Sequence, residues 1–134
     1  MAAKLDETAK AIIAGKNYAH VAIPREDGTV HTVIVWADLD GDNVTLNSAE
    51  GRGWPANLRK AGTATVTVMA DNNPYEWVSL TGRVITDTHE GADEQIDAMA
   101  IKYTGRDYSP NRRPGEQRVR FVLEPERVYH HTRP

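Results

Sequence analysis

YAHVAIPREDGTVHTVIVWA (18–37) reads as two β-rich runs, 18–23 and 29–37, separated by Pro-Arg-Glu-Asp-Gly. Valine, isoleucine, threonine and aromatic residues crowd both runs, as a pleated backbone favours, and Asp27-Gly28 supplies a hairpin signal. The chain is expected to fold back here as an antiparallel pair. Placing Ile23 opposite Thr29 puts Ala19, Val21, Ile23, His31, Val33 and Val35 on one face. The other face then carries Tyr18, His20, Ala22, Val30, Thr32, Ile34 and Trp36. Both faces are apolar. A sheet with one wet side alternates more cleanly, so the second face is expected to meet a partner subunit or a flat aromatic ligand.

The same period recurs outward from this pair. Strands are expected at 44–48, 63–70, 75–86 with a bulge at Gly82, and 117–125, which with the hairpin makes six. DLDGDN (38–43) and DNNP (71–74) read as turns. Helices are expected between Asp6 as N-cap and Gly15 as C-cap, from Trp54 or Pro55 to about Lys60, and over 90–103 with Ala92, Ile96, Met99 and Tyr103 on one stripe. Residues 104–116 read as a loop. Many short strands with a few inserted helices point to a mainly β antiparallel barrel or sandwich.

At 134 residues the chain is one domain's worth, with 40% hydrophobic and 26% charged residues. It holds no apolar run approaching the roughly 20 residues that cross a bilayer, and residues 1–14 lack the basic start and greasy centre of a signal peptide. A soluble, cytoplasmic protein with no membrane partner is expected. The absence of cysteine fits that compartment and excludes disulfides, thiolate chemistry and cysteine-ligated zinc. The net charge of −3 is uneven: residues 1–100 hold 8 basic and 15 acidic side chains, and residues 101–134 hold 8 and 4. A cationic segment on an acidic protein suits a small anionic ligand better than a duplex, so no nucleic-acid partner is expected. An OB-like nucleic-acid barrel is disfavoured on the same ground, and because exposed aromatics do not alternate with basic residues.

Few residues offer chemistry of their own. There is no Gly-x-Ser-x-Gly elbow, and His20 and His31 read as sheet histidines. His130 and His131 are adjacent, so on a strand they point to opposite faces and do not share a metal. DLDGDN fails as a calcium loop, because its sixth position is Asn43 and its twelfth is Ala49. No metal site is expected. Asp93, Glu94 and Asp97 read as the polar face of a helix.

GRGWPANLRKAG (51–62) is the remaining candidate. The strand before it ends in Asn47 and Ser48, a glycine turn follows, and Pro55 suits a first helical turn whose free N–H groups and dipole attract an anion. Arg52 adds a bidentate clamp. A plain β-to-helix connection is the alternative.

Taken together, "NSAEGR…NLR", "NPYEWVSLTGRV" and "YTGRDY…RRPGEQRV" resemble the split-barrel flavin and deazaflavin oxidoreductases related to pyridoxamine 5′-phosphate oxidase, most closely the actinobacterial branch that uses coenzyme F420. The resemblance spans about residues 5–130. It implies a single domain over 1–134, built as a six-stranded antiparallel split β-barrel with a few short helices, paired as a homodimer with cofactor sites between subunits. It also implies that the ring lies along Thr32, Val33, Val35 and Trp36 and that the phosphate sits in the loop from Asn47 to Asn57. Ser48, Arg52 and Asn57 would be its ligands, with Gly53 and Trp54 in the same loop, and Tyr75 and Trp77 would close the site from the partner.

Three departures from that pattern stand out. Trp54 replaces a lysine, Ala56 replaces an arginine, and Val33-Ile34 replaces a Thr-Pro pair. Phosphate clamping is expected to weaken, with Trp54 offering a stacking surface in exchange. The deazaflavin carries an oligoglutamate tail that FMN lacks, and Arg106, Arg112, Arg113, Arg118 and Arg120 suit it. The expected function is therefore F420-dependent hydride transfer to an unsaturated or conjugated small molecule. FMN as the cofactor, or a cofactor-binding protein without catalysis, are the alternatives.

Overall fold

The structure is a computed structural model that describes residues 3–71 and 73–132. Asp6 opens α1 (Glu7–Ala14) by accepting a hydrogen bond from the Ala9 amide at 2.8 Å, and Gly15 closes it. Its expected stripe of Ala9, Ile12 and Ile13 is buried.

The hairpin joins β1 (Ala19–Pro24) to β2 (Val30–Val35), but its register differs from the expected one. Ile23 faces His31 instead of Thr29, because Thr29 pairs with Arg25 across a three-residue loop. The Asp27 carboxylate accepts from both the amide and the hydroxyl of Thr29 and fixes that loop. A shift of two residues preserves the side-chain faces. Ala19, Val21 and Ile23 accordingly enter the core, while Val30 and Ile34 stand 57% and 64% exposed on the outer face.

Among the described residues the sheet has seven antiparallel strands, in the order β2-β1-β5-β6-β7-β4-β3. The extra strand is β3 (Ala37–Asp40), which pairs with β4 (Asn43–Ala49) through a tight turn at Gly41-Asp42. DLDGDN is therefore half strand. Its aspartates hid the period, since only Ala37 in this short element is fully buried. Of the DNNP segment, Asn72 lies outside the described residues, and Asn73 and Pro74 already belong to the next strand.

β5 (Thr63–Ala70), β6 (Asn73–Thr88) and β7 (Arg118–His131) complete the sheet. The last two pair along most of their length and slip register at Thr81/Gly82 and between Val84 and Thr86. These bulges let one long ribbon bend around the core. Gly82 suits the close approach there, because a Cβ would sit 3.1 Å from Leu123 Cβ and 3.2 Å from the Glu124 carbonyl and force one of them to give.

α2 (Gly53–Ala61) turns Trp54, Pro55 and Leu58 inward and ends on Gly62 in a left-handed conformation. α3 (Ala92–Thr104) buries Ile96, Met99, Ala100 and Tyr103. One main cluster, which includes Leu46, Leu58, Leu80, Phe121 and Leu123, fills the interior. None of the described helices is long and apolar enough to cross a membrane.

Candidate functional site

The helix α3 and the edge of β2 do not close on each other, and the gap between them is a cleft of about 340 Å³. Ile34, Val35 and Trp36 form one wall, with Tyr18 beside them. Ile96 and Met99 of α3 face them, and Asn47, Arg52, Tyr108 and Arg118 supply the polar lining. An apolar cavity with a few convergent polar groups is the usual form of a small-molecule site.

Two networks hold these walls. Trp36 stacks on Tyr103 with ring centroids 5.2 Å apart and planes within 5°. The Tyr103 hydroxyl donates to the Asn17 carbonyl at 2.6 Å and accepts from the Ala37 amide at 3.2 Å; burial pushes its pKa up. Beside it, Lys102 Nζ donates to the carbonyls of Ala37 at 2.6 Å and Ile13 at 3.1 Å. Burial pushes that ammonium down, and Asp38 at 3.7 Å opposes the shift. These contacts tie α3, α1 and β3 into a rigid backing for the aromatic wall.

The polar side rests on Arg118, which is 4% exposed. Its Nε and Nη2 donate to Asn47 Oδ1 at 2.9 and 2.7 Å, and its Nη1 lies 3.3 Å from the Tyr108 hydroxyl. The guanidinium also stacks over the Tyr108 ring at 4.8 Å. Burial lowers its pKa, which the Tyr108 and Glu116 side chains counteract and Arg52 reinforces.

The structure brings Val35, Trp36, Asn47 and Arg52 together at this cleft. Asn47 is fully engaged, because its Nδ2 donates to the Ala92 carbonyl and to Gln95 Oε1, each at 2.8 Å, while its oxygen holds Arg118. Arg52 is exposed at the N-cap of α2, with no side-chain cap bond, and no carboxylate pairs with it among the described residues. Gly53 follows as the first helical residue, also exposed.

The other expected site residues do not line this cleft within the single chain, and Tyr75 and Trp77, expected from a partner, are not brought to it. Ser48 points into the barrel, fully buried, with a hydroxyl that finds no hydrogen-bond partner among the described residues. Trp54 is 7% exposed and packs on Phe121 at 6.0 Å, so it offers no stacking surface to a ligand. Asn57 Nδ2 lies 2.8 Å from His31 Nδ1, tying α2 to β2. Val33 packs against the core and Thr32 lies on the outer sheet face. Trp77 shares that outer face and stacks on His131 at 5.1 Å, while Tyr75 is 54% exposed near the start of β6.

The five arginines also separate. Arg112 pairs with Asp93 and Asp97 at 2.9 and 3.0 Å, Arg120 reaches Asp40 at 3.4 Å, and Arg106 and Arg113 are exposed. Of this group, Arg118 alone lines the cleft. Sequence reasoning also missed Tyr108, whose tyrosine-and-arginine loop was the visible signal.

No protein-family model and no curated protein matches this chain. Among solved structures, an F420 reductase superposes with a TM-score of 0.81 at 21% identity, covering 93% of this chain and 98% of that one. The fold is a split β-barrel. A putative pyridoxamine 5′-phosphate oxidase from Listeria innocua gives a TM-score of 0.63 at 16% identity, over 84% of this chain and 86% of that one. A heme binding protein from Mycobacterium smegmatis gives 0.66 at 20% identity, over 92% of this chain and 52% of that one. One barrel architecture thus recurs in an F420 reductase and a heme binding protein, and the choice of ligand falls to the cleft itself.

Proposed function

We propose that this protein is a deazaflavin (coenzyme F420)-dependent oxidoreductase that transfers hydride to an unsaturated or conjugated small molecule. The observation that carries the reading is Arg52. It stands without a carboxylate partner among the described residues at the amino end of a nine-residue helix, on the rim of a cleft walled by Trp36. Free amides, helix dipole and guanidinium converge there as an anion receptor next to a flat apolar slot. The donor set fits the phosphorylated end of such a cofactor, and about 340 Å³ accepts a tricyclic ring.

In this reading Arg52 and the first turn of α2 hold the phosphate, while Val35 and Trp36 orient the ring. The Tyr103 and Lys102 contacts keep that wall from yielding. The cofactor supplies the hydride, so the chain's task is to bind, align and exclude water, which agrees with the lack of an evident acid–base set. The outer sheet face supports a homodimer. Val30, Ile34, Met69 and Tyr129 are 57%, 64%, 44% and 58% exposed there, an apolar surface that a second copy would cover.

Titrating cofactor-free protein with the deazaflavin and with FMN, followed by fluorescence quenching, tests the reading. Deazaflavin binding that weakens about 10–100-fold in Arg52→Ala is expected, as losing one charge-assisted hydrogen bond costs roughly 1.5–3 kcal/mol. Binding of neither compound removes the enzyme reading. The inward turn of Ser48 and Trp54 leaves the loop with a single cation and favours a second reading, a cofactor carrier without catalysis. Tight binding without turnover over a panel of enones and nitroaromatics would select it.

A further inference from the structure

A guanidinium has donors and no acceptor, so a hydroxyl that meets one must accept from it and send its own proton elsewhere. Tyr108 is in that position. Arg118 Nη1 donates to its oxygen at 3.3 Å, and the hydroxyl has no second partner among the described residues. Arg118 itself is satisfied: Nε and Nη2 are engaged by Asn47, and Glu116 at 3.4 Å balances its charge. The phenol proton is therefore uncommitted, on a residue that lines the cleft and packs with Ile96 and Met99 in the small cluster against which Trp36 rests. The ring is also held in place. Its backbone amide donates to Asp97 Oδ1 on α3 at 3.0 Å, and the same oxygen accepts from Arg112 at 3.0 Å. The Arg118 and Arg112 guanidiniums lie 4.8 and 5.7 Å from the ring centroid. A phenylalanine would fill the same space and keep both cation–π contacts, so packing does not account for the hydroxyl.

We propose that Tyr108 is a catalytic residue of this cleft: its O–H holds the carbonyl oxygen of a conjugated ketone and gives that oxygen its proton during reduction. The proton step rests on the oxidoreductase reading; the hydrogen bond does not. In that step a hydride from the reduced deazaflavin, which is thereby oxidised, forms a new C–H bond at the β-carbon of the ketone. The C=C electron pair moves to the bond between the α-carbon and the carbonyl carbon, and the carbonyl π pair forms an O–H bond with the Tyr108 proton. The enol then returns to the saturated ketone. The phenolate oxygen is left against Arg118 Nη1, the donor it already meets, and regains a proton from water. The assignment adds one proton to a cleft that otherwise binds, aligns and excludes water.

Tyr108→Phe removes the hydroxyl and keeps the ring, so its melting temperature and deazaflavin affinity are expected to stay at wild-type values. The probe is a dimethylamino-substituted benzylideneacetone, a conjugated ketone whose absorption moves to the red when its carbonyl accepts a hydrogen bond. On cofactor-free wild-type protein the probe is expected to show that red shift. On Tyr108→Phe it is expected to lose the shift and to bind about two- to tenfold more weakly. With reduced deazaflavin present, kcat for the same ketone is expected to fall by about 100-fold in the variant while the KM for the deazaflavin holds. An identical red shift in both proteins, no shift in either, or a folded Tyr108→Phe that reduces the ketone at the wild-type rate overturns the proposal and leaves the cofactor reading standing. A shift that needs the Tyr108 hydroxyl, in a protein that binds no deazaflavin, sustains the hydrogen-bond assignment and removes the cofactor reading instead.

Discussion

The two ends of α2 treat arginine in opposite ways. At its carboxyl end Arg59 donates to both oxygens of Glu50 at 2.8 Å and to Asp87 at 2.8 and 3.2 Å, and His89 Nε2 lies 2.6 Å from the same Glu50 carboxylate. Every charge there has an opposite neighbour. At its amino end Arg52 has none among the described residues, and it stands on the rim of the cleft that Trp36 walls. The first end is a clamp that fixes the loop onto the barrel, while the second presents an exposed guanidinium beside the cleft. Structural ion pairs neutralise themselves; binding sites leave that to the ligand.

This contrast is broken most severely through the core that both ends share. Trp54→Ala is expected to destabilise the fold by about 3–5 kcal/mol, since Trp54 packs within the central cluster, and urea unfolding checks it. Loss of ligand binding with unchanged stability would show instead that the indole serves the cleft. Next comes Arg52→Ala, expected to cost about 1.5–3 kcal/mol in phosphate-ester binding and under about 0.5 kcal/mol in stability, which calorimetry and melting together measure.

Arg59→Ala is expected to reverse that pattern. Stability falls by about 1.5 kcal/mol, because Glu50 and Asp87 lose a bidentate partner, discounted for a side chain one-third exposed. The smallest effect is a pH dependence. Hydrogen bonds from Arg59 and then His89 depress the Glu50 pKa from 4.5 to about 2, so its contribution is complete above pH 4.5 and fades as pH falls toward 2. After screening it amounts to about 1 kcal/mol, and Glu50→Gln is expected to flatten that part of the acid unfolding curve.

Much of the fold was legible because it is local. The α1 caps, the faces of the hairpin, strand 63–70 and the Gly82 bulge all follow from neighbours a few residues apart. β3 escaped because a four-residue strand carrying two aspartates shows no apolar period. The orientation of Trp54 was readable in principle, since Trp54 and Leu58 are one helical turn apart and define the inward face. The cleft was only half legible. Val35, Trp36, Asn47 and Arg52 were found by position, but the Asn47–Arg118 fork joins residues 71 apart in sequence, and no spacing rule reaches that far.

Such distances also govern how the chain assembles. β4 pairs with β3 and otherwise with β7, in a register that sets Val44 against Leu123 and Ala49 against Arg118. On the ribosome the β3–β4 hairpin thus emerges with an open edge and waits for some seventy residues, α3 included, before its neighbour exists. Contacts of that separation slow folding and leave a strand edge exposed to other chains. The split barrel should accordingly fold late and all at once, with the cleft arriving last because its two arginines come from opposite ends of that wait.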